Sequence, residues 1–284
     1  MSFFLHILIL IGYCLPIVLA FNLIFGKGKI LHFGPMGVSA ATSYAIFVVL
    51  MNTHSFLLAI LFGLLISILI SLFFSWLSLR LEQDSLGVMS LAVHLTIIVI
   101  ITNWTSVTCG ALGIPKIPRL SFMESIEMFA LVTTIYCAIF LYFLYKVDKS
   151  SFGRKLEALA EHSWHAKSLG INRAYVHAIA FLILGFAHVF GGFFAYTYLR
   201  FLNTHEFGFQ SLIFIVMAVV AGKPGSFKGV TLAVILLILL KEGIRFIPLA
   251  PGILGPVRLI TFGIILFVAV WIRRDTLFPQ ERLV

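Results

Sequence analysis

The sequence predicts an all-α, polytopic transmembrane helical bundle of about nine spans, formed by a single domain over residues 1–284, and three observations carry the prediction. Hydrophobic residues make up 61% of the chain and charged residues only 11%, too few polar groups to cover a soluble globule. Apolar runs of membrane-spanning length recur from end to end. Lysine and arginine are confined largely to alternate loops, as they are when a chain is threaded through a bilayer.

In order, the apolar runs cover residues 3–25, 33–51, 55–79, 85–103, 124–145, 173–199, 207–222, 229–246 and 257–272, each near the ~20 residues that a bilayer core requires. The first has no basic region ahead of it and is too long for a signal peptide's apolar region, so it is expected to stay as a span. The run at 207–222 is among the shortest and reads as a tilted or broken helix. Counting it as a crossing keeps Arg273 and Arg274 on the same side as most other basic residues.

Placing the 146–173 loop in the cytoplasm fixes every other loop by alternation. The inside loops then hold fourteen bases: Lys27, Lys29, Arg80, Lys146, Lys149, Arg154, Lys155, Lys167, Arg173, Lys223, Lys228, Arg273, Arg274 and Arg282. The outside loops and their edges hold four, Lys116, Arg119, Arg200 and Arg245, while Lys241 and Arg258 fall within spans near their outer ends. The positive-inside rule therefore predicts an outside N-terminus and an inside C-terminus.

The formal charge of +9 is accounted for by these loops and by anionic lipid heads, and no basic groove-reading domain remains for nucleic acid. Cys14 and Cys137 lie in apolar runs and Cys109 in a loop, without the spacing of a disulfide framework or a zinc site. Small residues cluster at Gly34, Gly37, Ser39, Ala40, Ala41 and Ser43, and again at Gly185, Ala187, Gly191, Gly192 and Ala195. Such stripes let helices approach closely in lipid; alternatively, one of these faces lines a path.

The longest polar stretch, Ser151 to Asn172, is organised differently. Phe152, Leu156, Leu159, Ala166 and Leu169 recur at helical spacing with Arg154, Lys155, Glu157, Glu161 and Lys167 mostly off that stripe, which describes an amphipathic helix lying on a surface. Gly170 stands where a helix closes, and the whole 146–173 loop reads as a docking element.

Here the residues carry a resemblance. Phe152, Gly153, Arg154, Leu156, Ala158, Ala166, Leu169, Gly170, Ile171 and Asn172 resemble the cytoplasmic motif of permease subunits of branched-chain amino acid ABC importers, in the LivM-like half of the pair. The resemblance runs from about residue 30 to 272. It includes Ser78 to Arg80, Asp84 to Ala92, Trp104 to Pro118, and the glycine-rich turn Ala221 to Gly229. Departures are Cys109 and Lys116, where the family usually has glycine, and a tail from Arg273 without the usual Arg-Pro.

The resemblance implies a permease subunit in a bacterial inner membrane that forms half of a translocation pathway for branched-chain amino acids or a related small solute. It implies a second permease, most simply as a heterodimer, two ABC ATPase subunits that bind the ATP, and an extracytoplasmic substrate-binding protein. The coupling residues it implies are Phe152, Gly153, Arg154, Leu156, Ala158, Leu159, Ala166, Gly170, Ile171 and Asn172, which would seat the ATPase. No catalytic, cofactor-binding or metal-binding residues are expected in this chain, and the residues lining the pathway are not legible.

Other motifs are weaker. Gly222 to Gly229 lacks the Gly-Lys-Ser or Gly-Lys-Thr of a phosphate loop, with Phe227 in the way. His162 and His165 are three apart beside Glu161, short of a metalloprotease pattern. Among polar residues within spans, His6, Asn22, His94, His177 and His188 are candidates for function, with His94 read as a neutral imidazole bonded to a neighbouring helix and Lys241 as an interface anchor near Glu242. The alternative, an ion-coupled secondary transporter, calls for an intramembrane carboxylate near the midplane; Glu124 and Glu127 lie at the outer edge instead.

Overall fold

The computed structural model describes residues 2–246 and 251–277. Twelve α-helices follow in order: α1 (Ser2–Asn22), α2 (Pro35–Thr53), α3 (Phe56–Arg80), α4 (Gln83–Asn103), the single turn α5 (Thr105–Thr108), α6 (Ile126–Lys149), α7 (Ser151–Glu161), α8 (Ser163–Ser168), α9 (Arg173–Leu199), α10 (Phe209–Ala221), α11 (Phe227–Gly243) and α12 (Pro251–Leu277). A short antiparallel bridge, Ile114–Pro115 against Phe201–Leu202, is added at one end. Serine and asparagine side chains start several helices: Ser55, Ser125, Asn172 and Ser226 accept from backbone N–H groups of the first turns of α3, α6, α9 and α11, satisfying donors that a helix cannot.

Eight segments among the described residues are long and apolar enough to cross a membrane, and α11, at 17 residues, also joins the two ends of the bundle. At one end, Lys27 meets Asp148, Arg173 donates to the Ser78 carbonyl and Gly225 N–H donates to Asn22. At the other, His6 bonds Tyr198, Arg119 donates to the Tyr198 carbonyl and Phe3 packs on Phe246. Helix ends therefore alternate as nine crossings require. Eleven of the fourteen bases grouped by sequence lie on segments at the Lys27 end. Arg282 lies outside the described residues, as do the side chains of Arg258, Arg273 and Arg274.

Three helices form the centre. The spans through α1, α9 and α2 are 78%, 72% and 61% buried, while those through α3, α4 and α6 are 22–28% buried and turn apolar side chains such as Leu61, Leu65 and Ile139 outward, as lipid-facing helices do. Small residues set the contacts. Ser67, Ser71, Ser75 and Ser78 are buried along α3 and face α9, where a Cβ on Gly185 would run into the hydroxyls of Ser67 and Ser71. Ser78 Oγ bonds His177 Nδ1 at 2.8 Å. Gly191 is held against Ile17 of α1 and Gly192 against Ser43 of α2. Close helix approach at small residues is the main source of association where lipid removes the hydrophobic drive.

Two segments of irregular backbone enter the bundle. After α1 the chain runs through a π-helical turn, Leu23–Lys27, and residues 28–34 lead inward to α2, with Gly37 packed on His94 halfway along α4. From the opposite end, a 3-10 turn at Thr204–Phe207 reaches the same level, where His94 Nε2 bonds the Phe207 carbonyl at 2.8 Å. The expected bond from His94 to a neighbour thus goes to a main-chain carbonyl. Helix α10, with 13 residues, spans only about 20 Å at 1.5 Å per residue. The run at 207–222 is a broken crossing completed by the 3-10 turn, because non-helical backbone at this depth survives only when buried in protein or lining a cavity.

Candidate functional site

The 146–173 segment forms two helices rather than one. Ser150 opens α7, its hydroxyl accepting from the N–H groups of Phe152 and Gly153, and the chain breaks at His162, where extended dihedrals interrupt the run. Helix α8 closes on Gly170, whose φ of +79° is left-handed, with Ile171 N–H donating to the Ala166 carbonyl at 3.1 Å and Gly170 N–H to Lys167 at 2.9 Å. This paired closure with an apolar residue after the glycine is a Schellman ending. Asn172 then caps α9 through Tyr175 N–H at 3.2 Å.

Apart from Leu169, the apolar stripe faces the chain's own core. Leu156 is 0% exposed, Leu159 7% and Ala166 2%, all within one core cluster, against which Phe152, Ala158 and Ile171 also pack. Gly153 is buried because a Cβ there would run into the Asp148 carbonyl. Gly153, Leu156, Leu159 and Ala166, four of the residues expected to seat a partner, are covered by the same chain, since an amphipathic segment of this length buries its stripe on the nearest apolar surface. Arg154, Gly170 and Asn172 remain exposed, with Trp164 at 86% and Leu169 at 80%.

An ion pair absent from the sequence reasoning locks the segment. Lys27 Nζ donates to Asp148 Oδ1 and to the Asp148 carbonyl, both at 2.8 Å, with the two side chains 11% and 12% exposed and Glu157 a further 3.7 Å from Nζ. Lys27 reads in sequence as an orienting base, and the available signal was an acid inside a basic loop. The glycine-rich turn is fastened beside it: Asn22 Oδ1 accepts from Gly225 N–H at 2.9 Å, and Gly26 abuts the Pro224–Gly225 backbone too closely for a Cβ.

At the opposite end Glu242 is 5% exposed, which the sequence did not show. Arg245 Nη1 donates to Glu242 Oε2 at 2.9 Å, and His6 Nε2 lies 3.6 Å away. His162 and His165 are exposed, with ring centroids 5.5 Å apart, and no group of three potential ligands that could hold a metal is found among the described residues.

Beside the 3-10 turn lies a cavity of about 440 Å³ lined by that turn and by α1, α2, α9, α10, α11 and α12. Ser39, Gly191, Gly192 and Ala195 from the small-residue stripes are in its wall, together with Glu206 and Lys241. A stripe read as packing thus also borders open space. The sequence signal was the short run at 207–222, since interrupted hydrophobic segments mark binding sites in transporters.

Over residues 3–270 the chain matches the family described as branched-chain amino acid transport system / permease component. The chain belongs to this family. Its members are transport components rather than enzymes. Two curated relatives are similar to this permease: the high-affinity branched-chain amino acid transport system permease proteins LivM of Salmonella typhimurium strain LT2 and Escherichia coli strain K12. Each is 27% identical over 233 residues, covering 72% of this permease and 53% of the relative, so the chain spans about half the length of the curated relatives it matches. The structure of PsaBC from Streptococcus pneumoniae in complex with Fab shares the fold at a TM-score of 0.51, with 14% identity, over 93% of this permease and 89% of that chain.

Proposed function

We propose that this permease is one of two membrane subunits of a bacterial inner-membrane ABC importer for branched-chain amino acids, driven by separate ATPase subunits and supplied by an external binding protein. The observation that carries the reading is the 150–172 segment: family membership calls for a transport component, and this segment presents Trp164 and Leu169, 86% and 80% exposed, at the basic end of the bundle. A rigid element of this kind, locked by Lys27 and Asp148, can pass a push from an engine to the spans.

The ATPase subunits occupy the exposed face of α8 and its Gly170 closure. Trp164→Asp and Leu169→Asp introduce a desolvated charge at that contact, costing about 2–5 kcal/mol. Copurification of the ATPase and ATP-dependent leucine uptake in proteoliposomes are expected to fall at least about thirtyfold, with unchanged yield of the folded permease. Normal copurification and uptake in both variants would remove this surface as the dock.

The basic end faces the cytoplasm, which puts the N-terminus outside. A cysteine at Lys149, in a background lacking the native cysteines, is expected to resist an impermeant maleimide in intact cells and to react after permeabilisation. Labelling in intact cells would reverse the orientation. Leucine uptake by the permease alone, driven by an ion gradient without ATPase, would transfer the reading to a secondary carrier.

A further inference from the structure

We infer that the cavity beside the 3-10 turn is a transit site for a zwitterionic α-amino acid, with Glu206 taking its ammonium group and Lys241 its carboxylate. The inference rests on the importer reading above and locates the substrate within this chain. Four observations lead to it.

First, a volume of about 440 Å³ falls within the range of small-molecule sites, and the cavity is placed at the 3-10 break that precedes α10. Second, its lining carries one acid and one lysine, Glu206 on the 3-10 turn and Lys241 on α11. Neither side chain has a hydrogen bond or ion pair among the described residues, and both are exposed. An unpaired charge within a membrane domain is costly unless it faces water or a partner of opposite sign, and two opposite charges on one cavity wall match the two ends of a zwitterion.

Third, Ser39 and Tyr196 line the cavity while being only 5% and 7% exposed, and their hydroxyls have no hydrogen-bond partner among the described residues. With no partner within the described chain, both hydroxyls can donate to or accept from a polar ligand. The first turn of α10, through Gln210 and Ser211, borders the same space, although Ser211 N–H is already bonded to the Gly208 carbonyl at 3.1 Å. Fourth, the remaining wall is apolar, with Leu10, Ile17, Phe214 and Ile238 offering a surface for a branched aliphatic side chain. His205, Tyr13, Cys14 and Tyr196 are the other titratable groups on the lining, and His205 sits beside Glu206.

The test uses the purified importer without its external binding protein and saturation-transfer NMR with three probes: L-leucine, isoamylamine, which lacks the carboxylate, and 4-methylpentanoate, which lacks the ammonium. Leucine is expected to receive saturation and each analogue to bind at least about tenfold more weakly, since a charge-assisted bond is lost in each. Glu206→Gln and Lys241→Met are each expected to weaken leucine about tenfold to a hundredfold. Glu206→Asp and Lys241→Arg are expected to retain most binding.

No leucine contact in the unmodified importer, or equal binding by Glu206→Gln and Lys241→Met, would overturn the inference. ATP-dependent uptake by the unmodified importer is read separately: uptake with no contact at this cavity sinks the site and leaves the importer reading intact, whereas absence of uptake for every branched-chain amino acid sinks the importer reading.

Discussion

Replacing Asp148 with alanine is expected to free the 150–172 segment from the membrane domain and to abolish coupled transport while the spans still insert. Lys27 and Asp148 form a contact of 2.8 Å with side chains only 11% and 12% exposed, and breaking a pair this deeply held strands a charge, at a cost of about 3 kcal/mol. The Asp148 carbonyl and Glu157 at 3.7 Å keep some hold on Lys27, so the loss lies at the low end for buried pairs. Limited proteolysis within 150–172 is the measurement, and cleavage is expected to accelerate about a hundredfold where opening follows the local equilibrium. The double variant Lys27→Met with Asp148→Leu removes both charges and is expected to regain most of the protection, because an apolar pair of similar volume is close to neutral. Proteolysis of Asp148→Ala at the unmodified rate would show that the segment is held by its apolar stripe alone.

Gly185→Leu is the second large effect. At Gly185 even a Cβ would run into the hydroxyls of Ser67 and Ser71, and both serines are buried, at 2% and 1% exposure, so α3 must move away from α9. Overpacking of this kind costs about 1–3 kcal/mol, and more where backbone must shift. The displaced helix would also strain the Ser78–His177 bond of 2.8 Å. Thermal inactivation of the detergent-purified permease is expected to move to clearly lower temperature, with partial recovery when Ser67 and Ser71 are both replaced by glycine. An unchanged inactivation temperature would mean that the α3–α9 seam is loose enough to absorb a side chain, contrary to its burial.

Much of the motif around Gly153 proves to be structural. Gly153 permits the return of α7 onto the end of α6, Leu156 and Leu159 fill the core beneath it, Gly170 supplies a left-handed turn, and Asn172 starts α9. Sequence periodicity showed that these apolar residues share a face but not what the face meets. Most of the stripe that looked available to a partner is spent within the chain, while its last member, Leu169, stays exposed together with Trp164.

The sequence by itself determined the class of fold, the order of the apolar spans and the family. Each of these depends on local quantities: run length against bilayer thickness and short motifs. Only the tertiary structure decided which acid neutralises Lys27, that Glu242 is buried with Arg245 and His6, and that Glu206 and Lys241 share one cavity although 35 residues separate them. The physical reason is that charge pairing and cavity lining depend on which helices become neighbours. That choice is made by side-chain fit at positions such as Gly26, Gly185 and Gly192, and no pattern within a single helix encodes it.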